Sequence, residues 1–273
     1  MAAAVRSVWA DNFAAESAIL RAVAPCAVYA AINVQYPGCV VSAAGGAGDH
    51  RCYYDLTAEE RYQVVRANAD ELKPLQLGLA VRTADGGRFA WEFNLNEFDL
   101  AADGDMCEPG SVDYLRHRGM DFNALPWSGV GAASLGRLLW SSGLLAARPS
   151  WATFAGAYHV AYFARILMLA VAVAGTGGGG AARRLPADVG GFEEMVRSLL
   201  GHHVYDVRLL AGELRGPLAD VARQLGAAVP ADAAAAGLAG AGALMALQAF
   251  EALREQCRGV MPHRGLLCGI QAS

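Results

Sequence analysis

Alternating apolar and polar positions predict a β-hairpin within the first hundred residues. In "LQLGLAVRTADGGRFAWEFNLN", two alternating runs flank Asp85–Gly86–Gly87, a combination typical of a tight hairpin turn. The apolar run "AVYAAINV" at 27–34 stops before Pro37–Gly38 and predicts a buried strand. Shorter strands are expected in "SWATFAG" at 150–156 and in "HHVYDV".

Helical patterns occupy much of the remaining chain. "TAEERYQVVRANADEL" opens with the capping-box pair Thr57 and Glu60, which predicts a helix from Ala58. Residues 12–24 predict an earlier helix with Asn12 as its N-cap. The other predicted helices cover 109–119, 131–143, 158–172, 188–200, 206–214, 217–226 and 238–257. This order predicts an α/β fold, a mixed sheet with helices on both faces, in a single domain over 1–273.

Glycine-rich and apolar segments are interpreted as ordinary structural parts. Residues 42–52 and 175–184 are predicted loops, and the second lacks the preceding strand and the Lys-Ser/Thr of a phosphate-binding loop. The apolar run "VAYFARILMLAVAVAG" is broken by Arg165 and falls short of the roughly 20 residues of a membrane span, so it predicts a core helix. With no signal-peptide pattern at the N-terminus, we expect a soluble protein of the cytoplasm and nucleus, with no membrane contact.

Composition and charge narrow the function classes. Apolar residues make up 55% of the chain, enough for a sizeable core. The 22 basic and 26 acidic residues give a net charge of −4. A protein that binds nucleic acids in general has an excess of basic residues, so we expect no DNA binding. Six cysteines show neither zinc nor disulfide spacing and fit a reducing compartment: Cys26, Cys39, Cys52, Cys107, Cys257 and Cys268.

Two amides stand at the end of the first predicted strand. Asn33 and Gln35 are one residue apart, so their side chains share one face of the strand. Two polar positions at a strand end often hold metal-binding carboxylates. Here both positions hold neutral amides.

Several segments together resemble a known family nearly from end to end. They are "VWADNFAAE", "YPG", "RYQVVRANADELKPLQLGL", "WEFNLNEFDL", "GMDF", "LLWSSGLL", "WATFAGAYHVAY", "VYDV" and "GLLCGI". They resemble the Caf-type (Pop-type) deadenylase subunit of the CCR–NOT complex, a DEDD exonuclease. The resemblance implies a ribonuclease-H-like fold, 3′–5′ removal of poly(A) with two divalent ions, Mg²⁺ or Mn²⁺, and the scaffold subunit of the complex as partner.

The sequence departs from that family at its catalytic positions. The family has an Asp-x-Glu on the first strand, an Asp after the Tyr of the second motif, and a late Asp preceded by a base His. The matching positions here are Asn33, Gln35, His159, Gly242 and, for the base, Gly237. Because neutral amides cannot replace carboxylates in dehydrating Mg²⁺, the resemblance predicts a catalytically inactive relative that holds no cofactor.

Other interpretations stay open. A residual enzyme would hold metals through water, Glu92 or Asp55, and a passive module would bind poly(A) RNA weakly, given the net charge. The chain could also be a decaying duplicate. His159 is read as an ordinary capped or core residue, with a soft-metal site beside Cys39 as the alternative.

The remaining candidates have structural interpretations. His202 and His203 are adjacent and do not form an i, i+4 metal pair. Asp206 is interpreted as a helix N-cap, and Glu92 and Glu97 as solvated or salt-bridged strand residues. The tryptophans are expected in the core, although any of them could line a base-stacking groove: Trp91, Trp127, Trp140 and Trp151.

Overall fold

The computed structural model of the chain describes residues 4–42, 55–174, 184–227, 229 and 238–271. Its strands are β1 (Val5–Val8), β2 (Ala27–Gln35), β3 (Gln76–Thr83), β4 (Arg88–Asn94), β5 (Ser150–Thr153) and β6 (Val204–Asp206). They form one sheet in the order β1-β4-β3-β2-β5-β6.

The sheet is mixed, as predicted. The hairpin strands β3 and β4 pair antiparallel, and β2 pairs antiparallel with β3. On the outer sides, β1 runs parallel to β4, and β5 runs parallel to both β2 and β6. The sequence pattern missed β1, because four residues with only Val8 buried carry too little alternation to predict a strand.

The helices are α1 (Phe13–Val23), α2 (Ala58–Glu71), α3 (Pro109–His117), α4 (Leu125–Ser128), α5 (Ala132–Ser141), α6 (Leu144–Ala147), α7 (Ala157–Ala174), α8 (Val189–Leu200), α9 (Val207–Leu210), α10 (Leu218–Gln224) and α11 (Ala239–Gln256). The capping box of α2 is present: Thr57 Oγ1 accepts from Glu60 N–H at 3.2 Å, and Glu60 Oε2 accepts from Thr57 N–H at 2.8 Å. Asn12 stands at the N-cap of α1, but its side chain accepts from Trp9 N–H instead of capping the helix.

Helices cover both faces of the sheet, which confirms the predicted architecture. Large apolar side chains of the central strands, such as Leu77 and Trp91, belong to the core that includes α2, α5, α7 and α8. Alternate positions point to the opposite face. There the strands offer small residues, and α11 packs against them with α9 and α10: Ala31, Ala80, Ala90 and Ala152.

The tryptophan prediction is half wrong. Trp91 and Trp151 are buried, at 0% and 1% exposure. Trp127 is 86% exposed, on the short helix α4 and outside both packed faces of the sheet. Trp140 is 44% exposed near the end of α5, where its indole N–H donates to Leu167 O at 3.0 Å.

Some predictions concern residues outside the described ranges. These include Cys52, Gly237 and most of both predicted loops. The five described cysteines are free thiols. Within the described ranges, no helix has the length and hydropathy that crossing a bilayer requires. The apolar helix α7 carries Arg165, whose guanidinium forms an ion pair with Asp70 at 2.6 Å.

Candidate functional site

The last residues of β2 bring the two amides into contact. Asn33 is buried at 8% exposure, and Gln35 is partly buried. The side-chain nitrogen of Gln35 lies 3.3 Å from Asn33 Oδ1, as expected for two side chains on one face. On the neighbouring strand β3, the residue opposite Asn33 is Gly78, which leaves the space above Asn33 to α11.

His159, in the first turn of α7, reaches the same point from the other side of β2. Strand β5 pairs with β2 only as far as Ala31, so within the described ranges the next part of that edge has no strand partner. His159 Nδ1 accepts a hydrogen bond from Val34 N–H there, at 3.0 Å. The other ring nitrogen, Nε2, lies 3.3 Å from the side-chain nitrogen of Asn33.

The hydrogen bonds assign a tautomer to His159. Because Nδ1 accepts, the neutral ring carries its proton on Nε2 and must donate from there. The imidazole also has a hydrogen bond with the backbone of Phe154, and Gln35 Nε2 donates to Asn33 Oδ1. The backbone of Val34, the imidazole and the two amides therefore contact one another in series.

The imidazole of His159 is neutral at physiological pH. Burial lowers its pKa from 6.5 to about 4. A general base works best when its pKa is close to the working pH, so this ring is poorly suited to that role. It stabilises the end of β2 by accepting the N–H of Val34.

Helix α11 packs over Asn33, and the residue at the contact is Gly242. A Cβ atom at Gly242 would lie 2.8 Å from Cγ of Asn33 and 3.0 Å from its Oδ1. Two other glycines allow the same close approach. A Cβ at Gly78 would lie 1.8 Å from Ala239 O, and one at Gly240 would lie 2.8 Å from Glu92 Cβ. The glycines at the start of α11 therefore have a packing role against the sheet.

The start of α11 is capped by side chains of the sheet. Glu92 Oε2 accepts from Gly240 N–H at 3.0 Å, and Gln76 Oε1 accepts from Ala239 N–H at 3.4 Å. Glu92 is 7% exposed, and burial raises the pKa of its carboxyl while the bond from Gly240 lowers it. The prediction of a solvated or salt-bridged Glu92 is therefore wrong, because its strand position faces a helix N-terminus that attracts a carboxylate.

Glu97 also binds a helix N-terminus. It lies beyond the end of β4, partly buried, and accepts from the N–H of Ala132, the first residue of α5. Its Oε2 is buried without a hydrogen-bond partner among the described residues. Burial raises the pKa of Glu97, and the hydrogen bond from the N–H of Ala132 is the main effect that lowers it. The predicted position on the strand is wrong, because β4 ends at Asn94, whereas the predicted charge pairing finds a partial counterpart in the attraction between Glu97 and Lys73.

Asp206 is a helix N-cap, as predicted, and it holds more than one element. Oδ1 accepts from Arg208 N–H at 3.0 Å and from Ala155 N–H at 2.9 Å. Oδ2 accepts from Gly156 N–H at 2.7 Å and from Cys268 N–H at 2.8 Å. Burial raises the pKa of Asp206 to about 6, although the hydrogen bonds from these four N–H groups act to lower it. The carboxylate thus joins β6, the start of α7 and the C-terminal segment.

An extension of the amide pair was missed at the sequence level. Gln76 Nε2 donates to Asn94 Oδ1 at 2.7 Å, and Asn94 Nδ2 donates to Val8 O at 3.1 Å. Gln35 is opposite Gln76, and Gln76 is opposite Asn94, so amides continue across the sheet. The hairpin register, which follows from the turn position, would have revealed the pairing of Gln76 with Asn94.

The residues at this site do not fit a pair of divalent cations. Two ions held close together need several carboxylates, since Mg²⁺ and Mn²⁺ prefer anionic oxygen. Asn33, Gln35, His159 and Gly242 provide none, and the first three bond to one another. Among the described residues, no cluster of three or more His, Cys, Asp or Glu side chains could hold a metal, which includes the alternative beside Cys39.

The sequence matches known proteins. The model of the CAF1 family ribonucleases matches residues 8–133. The "Probable CCR4-associated factor 1 homolog 7" of Arabidopsis thaliana is 29% identical over 216 residues, 76% of this chain and 70% of that protein. The "CCR4-NOT transcription complex subunit 7" of Caenorhabditis elegans is 31% identical over 171 residues. That match covers 60% of this chain and only 52% of the nematode protein.

Solved structures share the fold. The Mg²⁺- and Mn²⁺-bound Pop2p of S. pombe superposes with a TM-score of 0.76 at 24% identity, over 97% of this chain and 99% of that one. CAF1 co-crystallised with the yeast NOT1 MIF4G domain gives 0.72 at 22% identity, over 97% and 96% of the two chains. At these identities the likeness establishes the fold, the ribonuclease-H-like domain of Pop2 and CAF1. The chain is therefore similar to the CAF1 family ribonucleases over residues 8–133, and it shares the fold of Pop2 and CAF1 over nearly its whole length.

Proposed function

We propose that this chain is a catalytically inactive CAF1-type subunit that acts by docking onto the scaffold of the CCR4–NOT complex. The observation that carries the proposal is the closed cluster at the end of β2. Asn33 Nδ2 lies 3.3 Å from His159 Nε2, and Gly242 leaves no space for a side chain above Asn33. In this cluster neutral groups satisfy one another where the family resemblance places two-metal chemistry.

Electrostatics supports the loss of activity. A deadenylase of this family brings two divalent ions to a phosphodiester that is itself negative, and carboxylates must balance the ionic charge. The cluster of Asn33, Gln35, His159 and Gly242 contributes no negative charge, and the imidazole is held neutral by burial. The buried carboxylates of Glu92 and Asp206 are committed to other bonds, Glu92 at the N-terminus of α11 and Asp206 at four backbone N–H groups.

The scaffold partner is proposed from the surviving framework. The superposition on the CAF1 that was crystallised with NOT1 covers 97% of this chain. Large apolar side chains remain at the surface, with Trp127 at 86% exposure and Trp140 at 44%. Aromatic side chains of this kind are enriched among the residues that dominate protein interfaces. Presence in the cytoplasm and nucleus is the corresponding prediction for localisation.

A deadenylation assay tests the inactive site. The purified chain, in large excess, is incubated with a 5′-labelled RNA that ends in an oligoadenylate, first in Mg²⁺ and then in Mn²⁺. An active Pop2-type relative is the control. We expect no shortening in either ion. Stepwise shortening that a chelator stops would overturn the inactive-site half of the proposal.

A separate titration tests the docking half. The NOT1 MIF4G domain is titrated into this chain and, in parallel, into an active relative. We expect saturable 1:1 binding, which Trp127→Ala and Trp140→Ala should weaken. Absence of binding by this chain, where the relative binds, would overturn the docking function. Salt-sensitive capture of oligoadenylate by filter binding, without NOT1 binding, would favour the passive RNA-binding module instead.

A further inference from the structure

A basic cavity lies at the end of the sheet opposite the candidate site. Its volume is about 270 Å³, and it is lined by the last turns of α8, the start of β6 and residues 264–267. A second cavity, of about 390 Å³, adjoins it and shares Arg197, Gly201 and His202. The strands β2, β5 and β6 run parallel. The site at the end of β2 and the cavities before the start of β6 therefore lie at opposite ends of these strands.

Three arginines, all of them exposed, line the two cavities. Arg197 and Arg264 line the first, and Arg148 lines the second together with Arg197. Arg197 and Arg264 form no ion pair within the described part of the chain. Among the described residues of the lining the one carboxylate is Glu193, which already accepts a hydrogen bond from Gln271 Nε2 at 2.9 Å. The cavities are therefore cationic in a chain whose net charge is −4.

The helix dipole does not account for this cluster. A cation in the last turn of α8 complements the helix C-terminus, which is sufficient reason for Arg197 alone. Arg264 comes from the C-terminal segment, and Arg148 follows α6 with a φ of 50°, a left-handed conformation uncommon for residues other than glycine. Its Nη1 donates to Ser198 O at 3.3 Å, which holds the guanidinium against α8.

The floor of the first cavity is apolar and firmly supported. Phe192 and Leu267 are buried, at 1% and 2% exposure, and the Phe192 ring packs on Tyr62 with ring centroids 4.9 Å apart. Leu266 is 38% exposed at the same cavity and offers apolar surface to an occupant. An apolar floor with a few convergent polar groups is typical of small-molecule sites.

We propose that this cavity binds a nucleoside monophosphate. The phosphate lies between the guanidinium groups of Arg197 and Arg264, since a planar fork of N–H donors matches phosphate oxygens. The base packs against Leu266 and Val196, which supply the apolar wall. The site is independent of the candidate site at β2 and does not rest on the proposed docking function.

The test is calorimetric titration of the full chain with adenosine 5′-monophosphate. Adenosine and inorganic phosphate are titrated separately, so that the contributions of ring and phosphate can be told apart. We expect the monophosphate to bind at least tenfold more tightly than either fragment, with affinity falling as salt is raised. Equal binding of inorganic phosphate, binding of adenosine alone, or no binding of the monophosphate would each overturn the proposal.

Two substitutions locate the site. Arg197→Gln and Arg264→Gln should each weaken binding of the monophosphate by about tenfold, the loss of one charge-assisted contact. Arg264→Gln should leave the thermal midpoint unchanged, because its guanidinium has no ion-pair partner within the described residues. Arg197→Gln should lower the midpoint only through the lost interaction with the C-terminus of α8. Arg223→Gln is the matched control, an exposed arginine that pairs with Asp220 at 2.7 Å. Unchanged affinity in both Arg197→Gln and Arg264→Gln would place any observed binding elsewhere and overturn the assignment.

Discussion

Gly242 of α11 lies directly over Asn33 of β2, so closely that a Cβ atom would stand 2.8 Å from the amide carbon. The helix and the strand end therefore contact each other where the family resemblance places two metal-binding acids. This contact fixes the character of the site, because any side chain longer than glycine at 242 must displace Asn33 or the helix. It also makes the stability of the protein sensitive to a single methyl group.

We expect Gly242→Ala to destabilise the protein by about 1–2 kcal/mol, because overpacking of the strand contact outweighs the gain in helix propensity. Gly190→Ala is the matched control, a helical glycine of α8 whose added Cβ would meet only Asp188 Oδ1 at 3.4 Å. That control should be neutral or slightly stabilising. Urea unfolding measures both. Equal effects of the two substitutions would show that α11 does not need a glycine over Asn33.

Glu92 provides a second test of how α11 is attached to the sheet. Glu92→Ala leaves the N–H of Gly240 without its acceptor, and we expect a loss of about 1–3 kcal/mol in the free energy of unfolding. Glu92→Gln retains an acceptor oxygen and should cost less than half as much. Chemical denaturation of both variants measures the difference. If the glutamine variant were the less stable of the two, capping of α11 would not be the role of Glu92.

The stability of the protein should depend on pH through His159. The ring is neutral when folded, with its pKa lowered to about 4, whereas the unfolded chain has a value near 6.5. The unfolded state therefore binds the proton first, and the contribution of His159 is complete above pH 6.5 and lost as pH falls toward 4. The pKa difference sets an upper limit of about 3 kcal/mol, and partial solvent access of the ring reduces this to about 1–2.

His159→Gln isolates this effect, because the amide does not titrate. The difference in unfolding free energy between the natural chain and the variant should shrink between pH 7 and pH 4.5. Other titrating groups, including Asp206, are common to both proteins and cancel in the difference. A pH-independent difference would mean that His159 titrates normally and is not held neutral at the end of β2.

Asp206 should be the most sensitive carboxylate in the chain. Asp206→Ala leaves four backbone N–H donors without an acceptor, among them those of Gly156 and Cys268. We expect a loss of more than about 3 kcal/mol. Asp206→Asn keeps one oxygen and should fall between the two. Thermal unfolding followed by circular dichroism ranks the three proteins, and a fully stable alanine variant would contradict this role.

Much of the fold was predictable because its signals are local. The turn at Asp85–Gly86–Gly87 fixed the hairpin, and Thr57 with Glu60 fixed the start of α2, since turn and capping preferences act within four residues. The shared face of Asn33 and Gln35 followed from the period of a strand. The exposure of Trp127 did not follow, because hydrophobic character alone does not say which face of a short helix another element will cover.

The sequence by itself determined the types of element, their order and the neutral chemistry at the end of β2. Only the tertiary structure decided what meets there. His159 contacts Asn33 from 126 residues away, and Glu92 caps α11 across a separation of 148. These contacts depend on how the helices settle on the two faces of the sheet, and that placement is set by close packing of many side chains and not by any local pattern. The glycines of α11 have the same origin, because their role appears only where the helix touches the sheet.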